Sequence, residues 1–290
     1  MEKKRPRPAD GHNPFSDLHI SSHEPLESTA SRTKCSKCGA SRKYFCYTCY
    51  LPVPDLKGKL PHVELPVKVD VIKHAQERDG KSTAIHAAVL APDDVTIYTY
   101  PCIPDYDQEE GEVALVYPGT DAISLAELAK ELQSAGRTAQ EEQTNNAKND
   151  GVVGACTQSP LRCPFKKVVF IDCTWNQTHS IYRDERLKDL RCIILRDRTT
   201  YFWRGQNKPD SYLATIEAIY YFMLDYHAAF EQKTREGKRE EEEEQMKGAM
   251  QEGTGSHRYD DLLYFYSFMY QLVHREPDER KKPRKETENG

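Results

Sequence analysis

The sequence predicts an α/β fold in which helices cover both faces of a sheet. Five apolar runs rich in β-branched residues are typical of buried strands, at residues 67–72, 95–100, 112–117, 168–171 and 191–196. Helical patterns alternate with these runs, and strands alternating with helices are typical of an α/β sheet. With 38% hydrophobic and 30% charged residues in 290, the chain is polar for a globular protein, which indicates one core carrying polar extensions.

The distribution of polar residues predicts where the globular domain begins and ends. We expect a disordered tail over residues 1–30, a cysteine-rich segment over 31–60, the main domain over 61–275 and a basic disordered tail over 276–290. Polar inserts are expected near residues 134–164 and 231–255. The net charge of −5 neither indicates nor excludes a nucleic-acid partner, because acidic runs can mask a local basic face.

No stretch reaches the length of a transmembrane helix, so we expect no membrane partner. The longest apolar run, residues 262–273, is too short and contains Ser267 and Gln271. We expect no secretory signal, and nine cysteines in such a chain then indicate a reducing compartment. The basic run at residues 280–285 is typical of a nuclear import signal or a phosphate-binding arm, and we expect the protein in the nucleus, with the cytoplasm as the alternative.

Two C-x-x-C pairs follow the N-terminal tail. They bring Cys35, Cys38, Cys46 and Cys49 within reach of one tetrahedral zinc ion. Four protein ligands leave no open position, so such a zinc is structural and folds a segment too short to have its own core. The alternatives are four reduced cysteines on a loop or two redox pairs.

The elements after this segment follow from periodicity and capping residues. Ser124 and Glu127 form a capping box that opens a helix over residues 125–132. Further helices are predicted at residues 176–190, 212–230 and 262–273. In the first of them, Ile181, Leu187 and Leu190 are expected to face the core.

A polar cluster stands at the carboxyl end of the central strand. Asp172, Cys173, Thr174 and Trp175 follow the run at residues 168–171 directly. Ligands of open α/β sheets bind at the carboxyl ends of the strands, so this cluster predicts a site. The alternative is a strand followed by an N-capping loop, with the tryptophan as an apolar plug.

Three further stretches carry polar or aromatic groups suited to ligands. Tyr117, Pro118 and Gly119 form a turn between a strand and a helix, and such a turn can offer backbone N–H groups to an anion. Residues 196–204 interleave arginines with aromatic residues, as in proteins that stack on RNA bases and hold phosphates; the alternative is an exposed loop. His74 follows the strand at residues 67–72 and by itself is more often a structural residue.

These residues resemble the motifs of the DTW-domain family. Asp172-Cys173-Thr174-Trp175 is similar to its D-x-T-W signature, and three other motifs occur in the family's order over roughly residues 35–273. They are the H-P-x-E step at residues 74–77, the Y-P-G step at 117–119 and the S-T-x-E-A step at 214–218. Ala75 replaces the usual Pro and Ala214 the usual Ser.

The resemblance implies a SPOUT-like fold, which is knotted in some proteins, although the sequence does not show a knot. It also implies an enzyme that transfers the 3-amino-3-carboxypropyl group of S-adenosylmethionine to N3 of a uridine in tRNA, with the D-loop as the expected region. Methylthioadenosine leaves. The alternatives are a SPOUT-type RNA methyltransferase and a non-catalytic zinc-containing RNA-binding protein. The sequence leaves open the uridine position, the set of tRNAs and the oligomeric state.

The resemblance also assigns roles to individual residues. Asp172 is expected to be the general base or to hold the cofactor's ammonium group. The cofactor is expected to contact Tyr117, Pro118, Gly119, Thr174, Trp175, Thr215 and Glu217. Contact with tRNA phosphates is expected at Arg183, Arg198 and Arg204.

Overall fold

A computed structural model describes residues 13–106, 111–146, 161–205, 209–231 and 257–275, without the side chains of 136–146. The basic tail at 276–290 and nearly all of the insert at 231–255 lie outside the described residues, as do residues 1–12 and residues 147–160 of the insert at 134–164. No helix among the described residues has both the length and the apolar character needed to cross a lipid bilayer.

The core is a five-stranded, wholly parallel sheet. Its strands are β5 (Lys68–Lys73), β6 (Val95–Thr99), β7 (Val113–Val116), β8 (Lys167–Asp172) and β9 (Arg191–Ile193), and their order is β6-β5-β8-β7-β9. All five predicted strands are therefore present, with β9 shorter than residues 191–196. From β5 the chain turns outward to β6, whereas from β8 it crosses to β9 on the opposite side. The neighbouring strands β5 and β8 thus form a topological switch point. Ligand sites form at the carboxyl ends of the strands at such a point.

Both faces of the sheet are covered, because neighbouring side chains of a strand point to opposite faces. On β8, Val168 and Phe170 belong to the larger core cluster, while Val169 between them belongs to the second. The larger cluster includes side chains of four helices, α2 (Ala84–Leu90), α3 (Leu125–Asn146), α5 (Thr215–Tyr226) and α6 (Tyr264–His274). The second cluster includes Ile181 of α4 (Trp175–Tyr182) and Leu187 after it. The prediction of helices on both faces is confirmed.

Helices α3 and α4 differ in length from their predictions, whereas α5 and the π-helical turn His227–Glu231 after it together cover most of the predicted helix at residues 212–230. Helix α3 continues to Asn146 instead of ending at residue 132, because the Ala-, Glu- and Gln-rich sequence that follows also favours helix and tolerates Gly136. Helix α4 ends at Tyr182, well before residue 190. Beyond this end, Arg186 pairs with Asp184 and donates to the carbonyl oxygens of Pro101 and Ile103.

The N-terminal residues are more ordered than predicted. Residues 13–30 pack against the end of the chain, with Phe15 and Leu26 buried in the larger core cluster. His19 N–H donates to Asp260 Oδ2 at 2.7 Å and Ser21 N–H donates to Asp261 Oδ1 at 2.7 Å. The sequence missed this because the segment is polar apart from the few residues that it buries. Residues 13–30 are therefore part of the domain and not a disordered tail.

The cysteine-rich segment consists of two small hairpins. They are formed by β1 (Thr33–Lys34) with β2 (Ser41–Arg42) and by β3 (Phe45–Cys46) with β4 (Leu51–Pro52). Gly39 has a φ of +70°, a conformation that glycine adopts without strain at the turn after the first cysteine pair. Tyr44 and Phe45 pack on Phe268 and Phe265 of α6, which anchors the segment to the core.

Candidate active site

A pocket of about 510 Å³ opens at the carboxyl ends of the central strands. It is lined by the segments that follow β5, β7 and β8, at residues 76–83, 116–118 and 171–176. The start of α5 and residues 202–205 complete its wall. This is the position that the switch point between β5 and β8 predicts.

Asp172 is the last residue of β8, and it is buried at the base of this pocket with 5% of its surface exposed. Ser82 Oγ donates to its Oδ2 at 2.6 Å, and Thr215 Oγ1 donates to its Oδ1 at 2.6 Å. Burial raises the pKa of Asp172, and the two hydroxyl donors and the positive charge of Lys73 only partly oppose the rise. A carboxylate made more basic in this way suits proton acceptance or a charge-assisted bond to an ammonium group.

Two helices begin at the pocket. Thr174 is the N-cap of α4, and both its N–H and its hydroxyl donate to Gln177 Oε1. Trp175 packs on Tyr212 with ring centroids 4.3 Å apart, and both Thr174 and Trp175 line the pocket. Thr215 is the first residue of α5. The partial positive charge of two helix N-termini therefore faces a pocket that contains a buried carboxylate.

The turn after β7 contributes part of the predicted wall. Tyr117 and Pro118 line the pocket, and Tyr117 stacks on Tyr182 with ring centroids 4.1 Å apart. Gly119 does not line it. Its N–H donates to Tyr117 O, and a Cβ there would lie 3.1 Å from Cys192 Sγ. A side chain at this position would crowd Cys192, so the structure gives the glycine a packing role, and the pocket lining does not support its predicted contact with a cofactor.

Glu217 was predicted to bind the cofactor and lies instead outside the pocket lining, with 2% of its surface exposed. Its carboxylate accepts hydrogen bonds from Thr200 Oγ1 at 2.5 Å, Tyr201 N–H at 2.7 Å and Ala214 N–H at 2.8 Å. Burial raises the pKa of Glu217, and the hydrogen bonds from these donors only partly oppose the rise. Glu217 therefore caps α5 and fastens the preceding loop to it.

The three arginines predicted to contact RNA lie in different surroundings. Arg204 lines the pocket and donates to the backbone oxygen of Lys81 at 3.2 Å. Arg198 is ion-paired with Asp225, and its guanidinium lies 4.8 Å from the centre of the Tyr221 ring. Arg183 is exposed at the end of α4, and neither it nor Arg198 lines the pocket. The structure thus brings only Arg204 to the site.

Sequence reasoning undervalued the polar loop after β5. In this loop, the Ser82 hydroxyl donates to Asp172, and Thr83 Oγ1 accepts from the N–H of Ile216 at 3.3 Å. Lys73 is the register partner of Asp172 on the neighbouring strand and is ion-paired with Asp79. The available signal was the polar run that starts directly after the apolar residues of β5.

The four cysteines of the N-terminal segment lie close together, and we call them the four-cysteine cluster. The Sγ atoms of Cys35, Cys38, Cys46 and Cys49 all lie within 4.8 Å of one another, and those of Cys38 and Cys46 are 3.6 Å apart. In a tetrahedron with zinc–sulfur bonds of about 2.3 Å, sulfur atoms are about 3.8 Å apart. The arrangement can therefore bind a metal ion.

The comparisons with known proteins agree with the motifs at the pocket. Residues 43–274 match the family described as DTW domain. Three relatives carry the name tRNA-uridine aminocarboxypropyltransferase 1. The Xenopus tropicalis protein is 42% identical over 90% of this chain and 86% of its own, and the Mus musculus protein is 42% identical over 90% and 84%. The Homo sapiens protein is 43% identical over 90% and 84%. No solved structure matches.

Proposed function

The chain belongs to the DTW domain family, and from this premise we propose that it is a tRNA-uridine aminocarboxypropyltransferase. It transfers the 3-amino-3-carboxypropyl group of S-adenosylmethionine to N3 of a uridine in tRNA. The named relatives share about two fifths of their residues with it over most of both chains, with 42% identity in the Xenopus tropicalis protein. A D-loop uridine is the acceptor that we propose.

The observation that carries the proposal is the buried carboxylate of Asp172 in a pocket at the switch point of the sheet. The reaction forms a bond between uridine N3 and the γ-carbon of the methionine moiety, and breaks the bond from that carbon to the positively charged sulfur. The N3 proton must go to an acceptor, and neutral methylthioadenosine leaves with the sulfur. Asp172 has two fixed oxygens and a raised pKa, which suits it to accept this proton.

The pocket also supplies complementary charges for the group that is transferred. An aminocarboxypropyl group carries an ammonium and a carboxylate. The N-termini of α4 and α5 and the guanidinium of Arg204 favour the carboxylate, while Asp172 attracts the ammonium if it does not act as the base. We propose that Tyr117, Pro118 and Trp175 pack against the rest of the cofactor, with the Thr174 and Thr215 hydroxyls at its polar groups.

Three finer features belong to the same proposal. The fold is of the SPOUT-like class, which the parallel sheet with its site at the carboxyl ends supports. The four-cysteine cluster binds a structural Zn²⁺, in agreement with its ligand set and sulfur spacing. The protein acts in the nucleus, to which the basic residues 280–285 would direct it. Imaging the tagged protein with and without those six residues tests the last point, and unchanged nuclear signal would refute the role of the basic run.

Nucleoside mass spectrometry of tRNA tests the proposed function in cells. Cells that lack this protein should lose 3-(3-amino-3-carboxypropyl)uridine from a subset of tRNAs, and reintroduction of the chain should restore it. Reintroduction of the Asp172→Asn variant should not. Loss of a methylated uridine instead would assign the protein to RNA methylation, and an unchanged nucleoside profile would refute both activities.

A further inference from the structure

A second cavity lies next to the active-site pocket. It has a volume of about 220 Å³, and the two cavities share Lys81, Ser82, Thr83 and Arg204 in their walls. Ser82 therefore stands in a partition, with its hydroxyl bonded to Asp172 on the pocket side. The outer wall of the second cavity comes from the cysteine-rich segment, at residues 42–47. We call this cavity the side groove.

The side groove is strongly basic. Its lining contains five cationic side chains, Arg32, Arg42, Lys43, Lys81 and Arg204. The carboxylate among the described lining residues, Asp79, is ion-paired with Lys73. Arg32 donates from Nη2 to the backbone oxygen of Ser41 at 2.6 Å and from Nε to the Ser41 hydroxyl at 3.3 Å, which leaves Nη1 for a ligand. A concentration of positive charge in a concave site attracts anions such as phosphates.

Aromatic rings accompany these charges. Tyr47 and Trp203 line the groove, and the guanidinium of Arg42 lies 3.8 Å from the centre of the Tyr47 ring. Lys43 Nζ lies 5.0 Å from the centre of the Tyr44 ring. Cationic groups that track a backbone beside rings that stack on bases are the combination by which proteins hold single-stranded nucleic acids.

Two lining residues also keep unused hydrogen-bonding capacity. Arg42 Nε and His86 Nδ1 are buried nitrogens without a hydrogen-bond partner among the described residues. Buried polar atoms are nearly always paired, so unpaired ones in a cavity wall indicate a site for a polar ligand. Burial and, to a lesser extent, the nearby charge of Arg204 lower the pKa of His86 to about 3, so its ring is neutral at physiological pH.

A uridine must leave its base stack to reach Asp172, which places its neighbouring phosphates at the rim of the pocket. Arg204 lines both cavities. We infer that the side groove holds the nucleotide adjacent to the target uridine, with Arg42 and Lys43 on phosphate and Tyr47 against the base. This rests on the proposed function, which makes the active-site pocket the place of the uridine.

The test measures binding of an unmodified tRNA transcript by fluorescence anisotropy at several salt concentrations. The double variant Arg42→Ala and Lys43→Ala should bind at least roughly tenfold more weakly. The slope of log affinity against log salt should become shallower by about 1.5, since each lost phosphate contact removes about 0.7–0.9. Affinity for S-adenosylmethionine, measured by calorimetry, should not change. Tyr47→Ala should weaken tRNA binding roughly tenfold through lost stacking, and Tyr47→Phe should not.

The matched control is Arg258→Ala with Arg275→Ala, which removes two arginines that are paired with Glu231 and Glu27 and line neither cavity. Metal content and unfolding midpoint verify that each variant is folded. Folded groove variants that keep wild-type tRNA affinity and salt slope would overturn the inference. The inference would also be overturned if the groove variants lost affinity for polyglutamate but kept their affinity for tRNA. That result would assign the groove to acidic peptides.

Product analysis separates this inference from the proposed function. If the wild type releases methylthioadenosine while the groove variants keep their tRNA affinity, the groove inference alone fails. If the wild type releases none and the groove variants lose tRNA affinity, the proposed transfer fails and the groove remains an RNA site. For an active wild type, the KM for tRNA should rise in the groove variants while kcat stays nearly constant.

Discussion

Thr215 Oγ1 donates a 2.6 Å hydrogen bond to Oδ1 of Asp172, which joins the first residue of α5 to the last residue of β8. The other oxygen of the same carboxylate accepts from Ser82 after β5. Two segments far apart in sequence thus fix one buried carboxylate, and both hydroxyls favour its charged form. The basicity of Asp172 therefore depends on its neighbours, and this dependence can be measured.

Thr215→Val should shift the pH dependence of the reaction. It removes a donor to the charged carboxylate, so the pKa of Asp172 should rise further. If Asp172 is the base, the acid limb of kcat/KM moves to higher pH. Thr215→Ser keeps the hydroxyl and is the control. A pH profile that Thr215→Val leaves in place would show that this bond does not tune the reacting group.

Asp172→Asn should stabilise the fold at neutral pH. Burial raises the pKa of folded Asp172 above its unfolded value of about 3.9, so ionisation disfavours the folded state. The penalty is absent below about pH 4, grows as the pH rises towards the folded pKa and is constant above it. Asn cannot ionise, so the stability of the variant relative to the wild type, measured by urea unfolding, should increase as the pH rises above about 4. The exposed Asp189→Asn is the control, and an equal effect there would contradict the explanation.

Glu217→Ala should damage the fold and not the cofactor site. It leaves three donors without their acceptor, the Thr200 hydroxyl and the N–H groups of Tyr201 and Ala214. We expect a loss of about 2–3 kcal/mol in the free energy of unfolding, because buried donors would be unpaired. The control is Glu127→Ala, the equivalent capping position on α3, which is exposed to water. The affinity of the folded variant for S-adenosylmethionine should be unchanged. A loss of this affinity without a loss of stability would show that Glu217 contacts the cofactor directly.

The four-cysteine cluster should contain about one zinc ion per chain by metal analysis. Cys46→Ser should lose most of the metal and destabilise the N-terminal segment, because metal binding folds such segments. Since that segment forms a wall of the side groove, tRNA affinity should also fall. Cys102→Ser, at an exposed cysteine outside the cluster, is the control. Folded and active protein that contains no metal would refute the structural zinc.

The sequence predicted the sheet well because a strand is a local pattern. All five runs of β-branched residues are strands, and the polar residues after the central run do line a pocket. Alternation between the two faces follows from backbone geometry alone, so Val168, Val169 and Phe170 separate as expected.

The structure departs from the expected grouping of residues where a contact distant in sequence decides the position of a side chain. Arg198 and Arg204 both belong to the stretch of arginines and aromatic residues at 196–204. Arg198 is ion-paired with Asp225 of α5, whereas Arg204 lines the pocket, and the local sequence does not distinguish the two positions. Glu217 was expected to bind the cofactor because it belongs to a family motif. Ala214 has no hydroxyl with which to cap α5, and the carboxylate of Glu217 instead accepts a hydrogen bond from the N–H of Ala214 at the start of the helix. Helix α4 ends at Tyr182, and Arg186 beyond it donates to carbonyl oxygens of the loop at residues 101–103, a contact that no local pattern indicates.

The most direct measurement is product analysis with the purified protein, S-adenosylmethionine and an unmodified tRNA. The wild type should release methylthioadenosine in amounts equal to the 3-(3-amino-3-carboxypropyl)uridine that forms in the tRNA. Asp172→Asn should be slower by about a hundredfold or more, because a positioned base contributes at least that factor. If Asp172 is the base, cofactor affinity holds and high pH partly restores the rate; if it anchors the ammonium, cofactor affinity falls and pH restores nothing. S-adenosylhomocysteine as the product, or a fully active Asp172→Asn enzyme, would contradict the account.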